Sequence, residues 1–257
     1  MIDFEIAEEH RLLEHSVREW AARAVAPRIK ELDREHRFDR NILPQMADLG
    51  LLGICVPTEH GGAGMDYISL GIASEELEYV DTSLRVILSV HVGLNSLSLL
   101  TWGTDDQKKR YLLPQAQGRK VATFGLTEPA AGSDVRGIQT VAVRKGDRYF
   151  LTGEKMWISL ADIADNFLVI AWTDQEKRKQ RDPSGLSAFI VERAFKASRA
   201  ARSRRSGASW RATRALSRWM TWKCPPRTWS AARARASRSR CSRSTRGDSR
   251  WRPARRA

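Results

Sequence analysis

Cysteine is scarce in this chain, and acid is scarce in one part of it. The three cysteines among 257 residues, Cys55, Cys224 and Cys241, show no CxxC or Cys/His spacing. Neither a zinc site nor a disulfide framework is encoded, no metal is expected, and a reducing compartment is the default. No apolar run approaches membrane-spanning length, and the chain opens on Asp3 and Glu5 rather than on bases followed by an apolar stretch. The expectation is a cytoplasmic protein with no membrane span. Residues 194–257 hold a single acid, Asp248, and no valine or isoleucine. Without aliphatic area to offset chain entropy, no fold is expected there.

That segment holds 18 Arg, 13 Ala, 11 Ser and 5 Trp, and its 20 Lys+Arg against one acid give it a charge of +19. Residues 1–193 carry 24 Lys+Arg against 29 Asp+Glu, a balance of −5. The overall +14 describes neither part, so it is no sign that the folded part meets nucleic acid.

In residues 3–24, Leu13, Val17, Trp20 and Ala24 recur three or four apart behind acids in the first turn, which predicts an amphipathic helix. Pro27 interrupts it. Further helices are expected over 41–52, 66–80 and 84–102, the last apolar around its circumference and therefore central. Between the first two of these runs a loop, Val56-Pro57-Thr58-Glu59-His60-Gly61-Gly62-Ala63-Gly64, is too rich in glycine to be regular. Thr104 with Gln107 is a capping-box start for the next helix.

After Gly118 the period changes to that of strands: 121–126, 140–144, 149–158, 166–172 and 186–191 are β-branched or aromatic runs separated by turns such as Lys145-Gly146-Asp147. The short connections leave no room for crossover helices and predict antiparallel pairing. The fold class is α+β: an all-α domain over 1–118, an antiparallel barrel-like β-domain over 119–193, then a disordered basic tail over 194–257.

The most specific stretch is Gly125-Leu126-Thr127-Glu128-Pro129-Ala130-Ala131-Gly132-Ser133-Asp134, followed by Val135-Arg136-Gly137. It resembles the first signature of the acyl-CoA dehydrogenases throughout. Other stretches agree with the family in order and spacing over 1–193: Val56-Pro57 with Gly61-Gly62, Glu75-Glu76, Asp81 with Ser83, Gly103-Thr104 with Gln107-Lys108, Tyr111 with Pro114, and Gly153-Glu154-Lys155-Met156-Trp157-Ile158-Ser159. Taken singly, Thr127 reads as a turn residue and Trp157 as core. The cluster carries the assignment.

The resemblance implies FAD-dependent α,β-dehydrogenation of an acyl-CoA thioester of short or medium chain. It also implies an electron-transfer flavoprotein as acceptor and a homo-oligomer, tetramer or dimer. The chemistry needs a base for the α proton, a hydride acceptor at the flavin, and donors that polarise flavin and thioester. By resemblance, Phe124, Leu126 and Thr127 contact the isoalloxazine ring, Trp157 and Ser159 flank it, Gly132 lets backbone approach closely, and Ser133 meets flavin phosphate or the CoA arm. Arg85 stands where glutaryl-CoA dehydrogenases resemble this chain and pair an arginine with the distal carboxylate of a diacid substrate, for which a guanidinium is suited. The plainer expectation is a salt bridge from Arg85 to Asp81. His60 and His91 receive no catalytic role, and Glu128 is expected to shape the loop rather than act as the base.

The rest of the β-domain, the C-terminal four-helix domain and its catalytic glutamate find no counterpart after Arg193, so the β-domain reads as incomplete, no catalytic residue is assigned, and the chain as written is expected to be inactive. Arg, Ala, Ser, Pro and Trp are what GC-rich DNA yields out of frame, which suggests a frameshift. Two other readings stand beside this one. In one, the tail binds polyanions or nucleic acid non-specifically, with Trp219, Trp222 and Trp229 interleaved among the bases. In the other, the chain is a flavin oxidase or monooxygenase of the same fold.

Overall fold

The computed structural model describes residues 6–146 and 148–195 in full, and the backbone alone of 200–202 and 215–224. Glu8 and Glu9 sit at the positive end of a helix dipole and Leu13 and Val17 are buried on one stripe, so helix α1 forms over Glu8–Trp20. It runs on through a π-helical turn at Ala21–Val25 into a 3₁₀ turn at Ala26–Arg28 that holds Pro27, and restarts as α2, Ile29–Arg34. Helix α3, Ile42–Asp48, ends at Gly50, which adopts a left-handed φ of 72°. In the loop that follows, a Cβ on Gly62 would stand 2.0 Å from the Val56 carbonyl oxygen. Only glycine fits there.

Helix α4, Tyr67–Val80, is capped by the Asp66 carboxylate, which accepts from the Ser69 amide. Asp81 likewise caps α5, Thr82–Ile87, which continues through π-helical Leu88–Ser96 into α6, Leu97–Trp102. The combined run Thr82–Trp102 has 21 residues and contains an 18-residue window of mean hydropathy 1.4, long and apolar enough to cross a membrane. The sequence reading found no run of that length because Arg85 and the polar residues Ser89, His91, Asn95 and Ser96 divide it. Leu84, Ile87, Leu88, Val92 and Leu99 are completely buried, so this is the central helix that its apolar circumference predicts. Both halves of the Thr104/Gln107 capping box form at the start of α7, Asp105–Gln107. A π-helical turn, Lys108–Leu112, leads to α8, Leu113–Ala116.

The strands are β1 (Ala122–Gly125), β2 (Val141–Lys145), β3 (Arg148–Ile158), β4 (Asn166–Trp172), β5 (Leu186–Glu192), β6 (Ala200–Arg202) and β7 (Ala215–Cys224), with helix α9 (Gln175–Lys179) between β4 and β5. All five strand runs read from the sequence are present. Pairing corrects the antiparallel expectation, because the sheet is mixed. Hairpins β2–β3 and β4–β5 are antiparallel, but β1 lies parallel to β4 from Ala122↔Asn166 to Gly125↔Val169, and β2 touches β4 in parallel at Val141↔Trp172. Connection length constrains only consecutive strands. β1 and β4 are separated by a whole hairpin, which supplies the return that a crossover helix would give.

Within 194–257 the sequence reading expects no structure, yet the backbone of β7 runs antiparallel along β3, with β6 on its far side. Ladder hydrogen bonds are made by backbone and need no aliphatic side chain. Residues 196–199, 203–214 and 225–257, Trp229 among them, lie outside the described residues.

Two apolar clusters join the layers. Val121, Leu160, Ile163 and Ala164 of the β-domain enter the helical core built on Leu77, Leu84, Leu88 and Val92. Val56, Leu99, Tyr111 and Leu112 pack against Leu168, Ala188 and Ile190. The helical layer thereby fixes the starts of β1 and β4, and the signature loop leaves from the far end of β1.

Candidate functional site

The signature loop leaves β1 at Gly125 and is pinned from below by a buried ion pair. Lys155 Nζ donates to Glu128 Oε1 at 2.8 Å and to the Leu126 carbonyl at 2.9 Å, while the Met156 amide donates to the Thr127 carbonyl at 2.9 Å. Glu128 also accepts from the Thr140 amide at 3.0 Å, the Thr140 hydroxyl and the Gln139 amide. Burial opposes charge on Glu128, but the Lys155 ammonium and these donors outweigh it and hold the carboxyl below its ordinary range. Three segments are tied in this way: the loop after β1, the entry to β2, and the far half of β3.

That far half outruns β2, whose pairing stops at Val141↔Thr152. At its end Trp157 adopts a left-handed φ of 58° and stays 43% exposed, and Leu160 is left-handed as well, at 62°. Two non-glycine residues in this region within four positions is a strained arrangement of the kind that clusters where backbone is aimed at a ligand. Ser159 offers its carbonyl to the Thr123 hydroxyl at 2.5 Å, locking the end of β3 to β1.

The structure thus draws Leu126, Thr127, Trp157 and Ser159 to neighbouring strand ends. Leu126 and Thr127 are half-buried, and Gly132 and Ser133 are exposed on the loop beyond. A Cβ on Gly132 would meet nothing within 4 Å, so its glycine is not demanded by the packing of this chain. Phe124 is different: part of its ring packs into the cluster of Val56, Leu99 and Leu168, so it supports the wall from behind as much as it faces outward.

Arg85 is not drawn in. Its Nε donates to Glu78 at 2.7 Å and Nη1 to Ser89 at 3.3 Å, which corrects the expected partner Asp81. Asp81 is spent as a helix cap, its carboxylate accepting from the Ser83 amide. His91 is fully buried. The Ala122 amide donates to its Nδ1 at 3.0 Å, which places the ring proton on Nε2, 3.2 Å from the Gln115 carbonyl. Burial drives its pKa down to about 4, so it is a neutral suture between helix and strand. His60 lies half-buried beside Glu59.

Sequence reasoning missed Lys155 as the residue that organises the loop. A lysine among the apolar residues on the buried side of a strand is the available signal, but only the fold shows that Glu128 lies opposite. Among the described residues there is no His/Cys/Asp/Glu group arranged to hold a metal, and burial pushes the Cys55 thiol up to about 11.

Two family models match the chain. Residues 7–119 match the acyl-CoA dehydrogenase N-terminal domain, and residues 123–217 match the acyl-CoA dehydrogenase middle domain. The short-chain specific acyl-CoA dehydrogenase of Clostridium acetobutylicum is 42% identical over 195 residues, covering 76% of this chain and 50% of that protein. The mouse mitochondrial short-chain enzyme is 37% identical over 187 residues, covering 73% and 44%. Among solved structures, butyryl-CoA dehydrogenase from Megasphaera elsdenii superposes with a TM-score of 0.83 at 28% identity, covering 89% of this chain and 60% of that one. Glutaryl-CoA dehydrogenase from Mycobacterium smegmatis gives 0.78 at 32% identity, covering 87% and 56%. The chain spans about half the length of the curated relatives it matches.

Proposed function

The chain belongs to the acyl-CoA dehydrogenase family, and on that premise we propose that residues 124–159 form the flavin-facing wall of an FAD-dependent site for α,β-dehydrogenation of a short acyl-CoA thioester. The observation that carries the reading is the left-handed, exposed Trp157 one residue beyond the Met156–Thr127 hydrogen bond, with open space at Gly132. These residues suit a flat, partly apolar ring with a phosphate-bearing arm.

FAD, when bound, supplies the hydride acceptor for a two-electron oxidation. The chain's own residues do the rest. The Thr127 hydroxyl and backbone amide offer donors at a fixed strand end, where preorganised dipoles cost no rearrangement. Trp157 and Ser159 cover the flank and exclude water. Ser133, exposed on the loop, would meet a phosphate-bearing arm of cofactor or substrate. Glu128 is no proton acceptor, because its oxygens are committed to Lys155, Gln139 and Thr140. Residues 194–257 offer one acid, Asp248. We therefore expect weak flavin binding and no turnover from these 257 residues. An electron-transfer flavoprotein as acceptor, a homo-oligomeric assembly and a cytoplasmic location belong to the same proposal.

A dicarboxylyl variant of this substrate would call on Arg85, whose Nε is held by the Glu78 carboxylate at 2.7 Å and which is not drawn to the flavin-facing wall. The composition break after Arg193 supports a change of reading frame. Reading the DNA around codon 193 tests it: one of the other frames should encode further strands and then helices with a glutamate, and if neither does the idea fails.

Titration of the purified chain with FAD at raised ionic strength, followed by flavin fluorescence, tests the flavin reading. Quenching that saturates and is lost in Thr127→Ala and Trp157→Ala is expected. Quenching indifferent to both substitutions would remove the basis of the proposal.

A further inference from the structure

At the end of the β-domain remote from the signature loop, a cavity of about 410 Å³ lies at the seam between the helical layer and the starts of β1 and β4. Arg110 and Tyr111 line its helical side, and Lys120, Asp165, Asn166 and Glu192 its strand side. We propose that this cavity binds a small zwitterion of the α-amino acid class, its ammonium and carboxylate held by the two ion pairs and the one amide of the lining. The site is independent of the flavin wall, which begins at the opposite end of β1.

Asn166 carries the assignment. It is only 5% exposed, yet among the described residues its side-chain amide takes no hydrogen bond; its backbone amide is the group that donates to the Val121 carbonyl, at 3.1 Å. A buried amide without a partner has given up its water with nothing to offset the loss. The pleat sets its direction. Asn166 stands directly across from Glu192 in the β4–β5 ladder, and the side chains of such a pair leave the sheet on one face. Leu168 and Ile190, two positions further along that face, are apolar and pack with Tyr111. The cavity is therefore the polar space that the Asn166 amide meets.

The charges around that amide are held in place. The Glu192 carboxylate accepts from the Tyr111 hydroxyl and from Arg110 Nη2, both at 2.7 Å, and the Arg110 guanidinium lies 5.2 Å from the centre of the Tyr111 ring. Asp165 accepts from the Val121 amide at 2.8 Å through one carboxylate oxygen and presents the other to the Lys120 ammonium at 3.7 Å, a separation too long for a hydrogen bond. Each pair brings one cation and one carboxylate to the cavity. Arg193 is turned elsewhere: its guanidinium donates to the Ala161 and Ala164 carbonyls and lies over the Phe167 ring, which leaves β4 on the face opposite Asn166.

Such a lining disfavours an ion of one sign. A lone carboxylate meets Asp165 and Glu192 as well as Lys120 and Arg110, and a lone amine meets the reverse conflict. An α-amino acid carries both charges on one carbon. Laid head to tail along the Lys120–Asp165 pair, it sets its carboxylate against the ammonium and its ammonium against the carboxylate. The Asn166 amide is donor and acceptor in one group, so it serves both ends of the same ligand. Lys120 is half-exposed, so the cavity opens beside it and the ligand's own side chain faces solvent, which makes the site selective for the class rather than for one member.

The test titrates the full chain with alanine, propanoate and propylamine at one raised ionic strength, which screens the basic tail, and follows the side-chain amide resonances of Asn166. Alanine is expected to shift them saturably with roughly millimolar affinity, and propanoate and propylamine to bind about tenfold more weakly or less. In titration calorimetry, Asn166→Ala and Lys120→Met are each expected to lower alanine affinity by roughly tenfold with the unfolding midpoint retained. Lys120 is at the surface, so its variant keeps the test open if Asn166→Ala fails to fold. Lys30→Met, an equal change of charge outside the lining, should leave alanine affinity unchanged. Equal affinity for alanine and propanoate would make this an anion site and overturn the zwitterion. Parent-like affinity in both cavity variants, a loss in Lys30→Met as large as theirs, or no saturable shift of the Asn166 amide would overturn the site itself.

Discussion

Lys155 and Glu128 form an ion pair of 2.8 Å with side chains only 2% and 4% exposed, and through it β3 holds the loop that follows β1. Such a pair contributes little net stability against an apolar replacement, but removing one partner strands a buried charge. Lys155→Met is therefore expected to cost about 3–5 kcal/mol, and the double variant Lys155→Met with Glu128→Gln less than that. Denaturant unfolding of both checks the order. Equal losses would mean that the pair is not coupled.

The same carboxylate sets an acid limb. Because the folded Glu128 carboxyl lies below its ordinary 4.5, its contribution is complete above pH 4.5 and is lost as pH falls through the lower folded value. Stability measured from pH 5 downward should fall less steeply in Glu128→Gln than in the parent.

His91 acts in a higher window. Its pKa is depressed from 6.5 to about 4, so the fold binds this proton less well than the unfolded chain does. Stability is full above pH 6.5 and declines on the way down to about pH 4, by on the order of 3 kcal/mol in total. An imidazole resonance of His91 that titrates near 6.5 in the folded protein would contradict this.

Two glycines separate packing from ligand. Gly62→Ala forces a Cβ onto the Val56 carbonyl and should destabilise by more than 1 kcal/mol or so, as substitutions into closed backbone contacts do. Gly132→Ala meets open space and should leave the unfolding midpoint within about 0.5 kcal/mol of the parent, while weakening FAD. Calorimetry and flavin titration on the two variants give opposite patterns if Gly132 is reserved for a ligand.

Arg85 distinguishes the substrate variants. Its pair with Glu78 is partly solvated, with side chains 35% and 45% exposed, and should be worth no more than about 1 kcal/mol of stability. If Arg85 receives a distal carboxylate, Arg85→Gln weakens glutaryl-CoA and spares butyryl-CoA in competition binding. Equal effects on the two thioesters would favour the straight-chain substrate.

Much of this architecture was legible in the sequence, because it rests on local signals. The Leu13/Val17 stripe, the Thr104/Gln107 capping box and the change to period two after Gly118 each fix an element within a few residues. Pairing between distant strands has no local signal, so the parallel alignment of β1 with β4 emerged only in the fold. Lys155 was hidden for the same reason, its partner being 27 positions away. Asp81 was the nearer acid to Arg85, but capping the Ser83 amide removed it from reach. The proposed site residues Leu126, Thr127, Trp157 and Ser159 come from a family pattern. The strain at Trp157 and the partly inward-facing ring of Phe124 do not.

We propose that the loop end at Thr127 and the strand end at Trp157 form one flavin surface. The direct measurement is flavin fluorescence on titrating the full chain with FAD at high salt, where exposed charges act over roughly 8 Å or less and the basic tail is screened. Weak, saturable quenching is expected, diminished in Gly132→Ala and Trp157→Ala while the folded state is retained. Quenching that disappears with salt, or that both variants preserve, would contradict it.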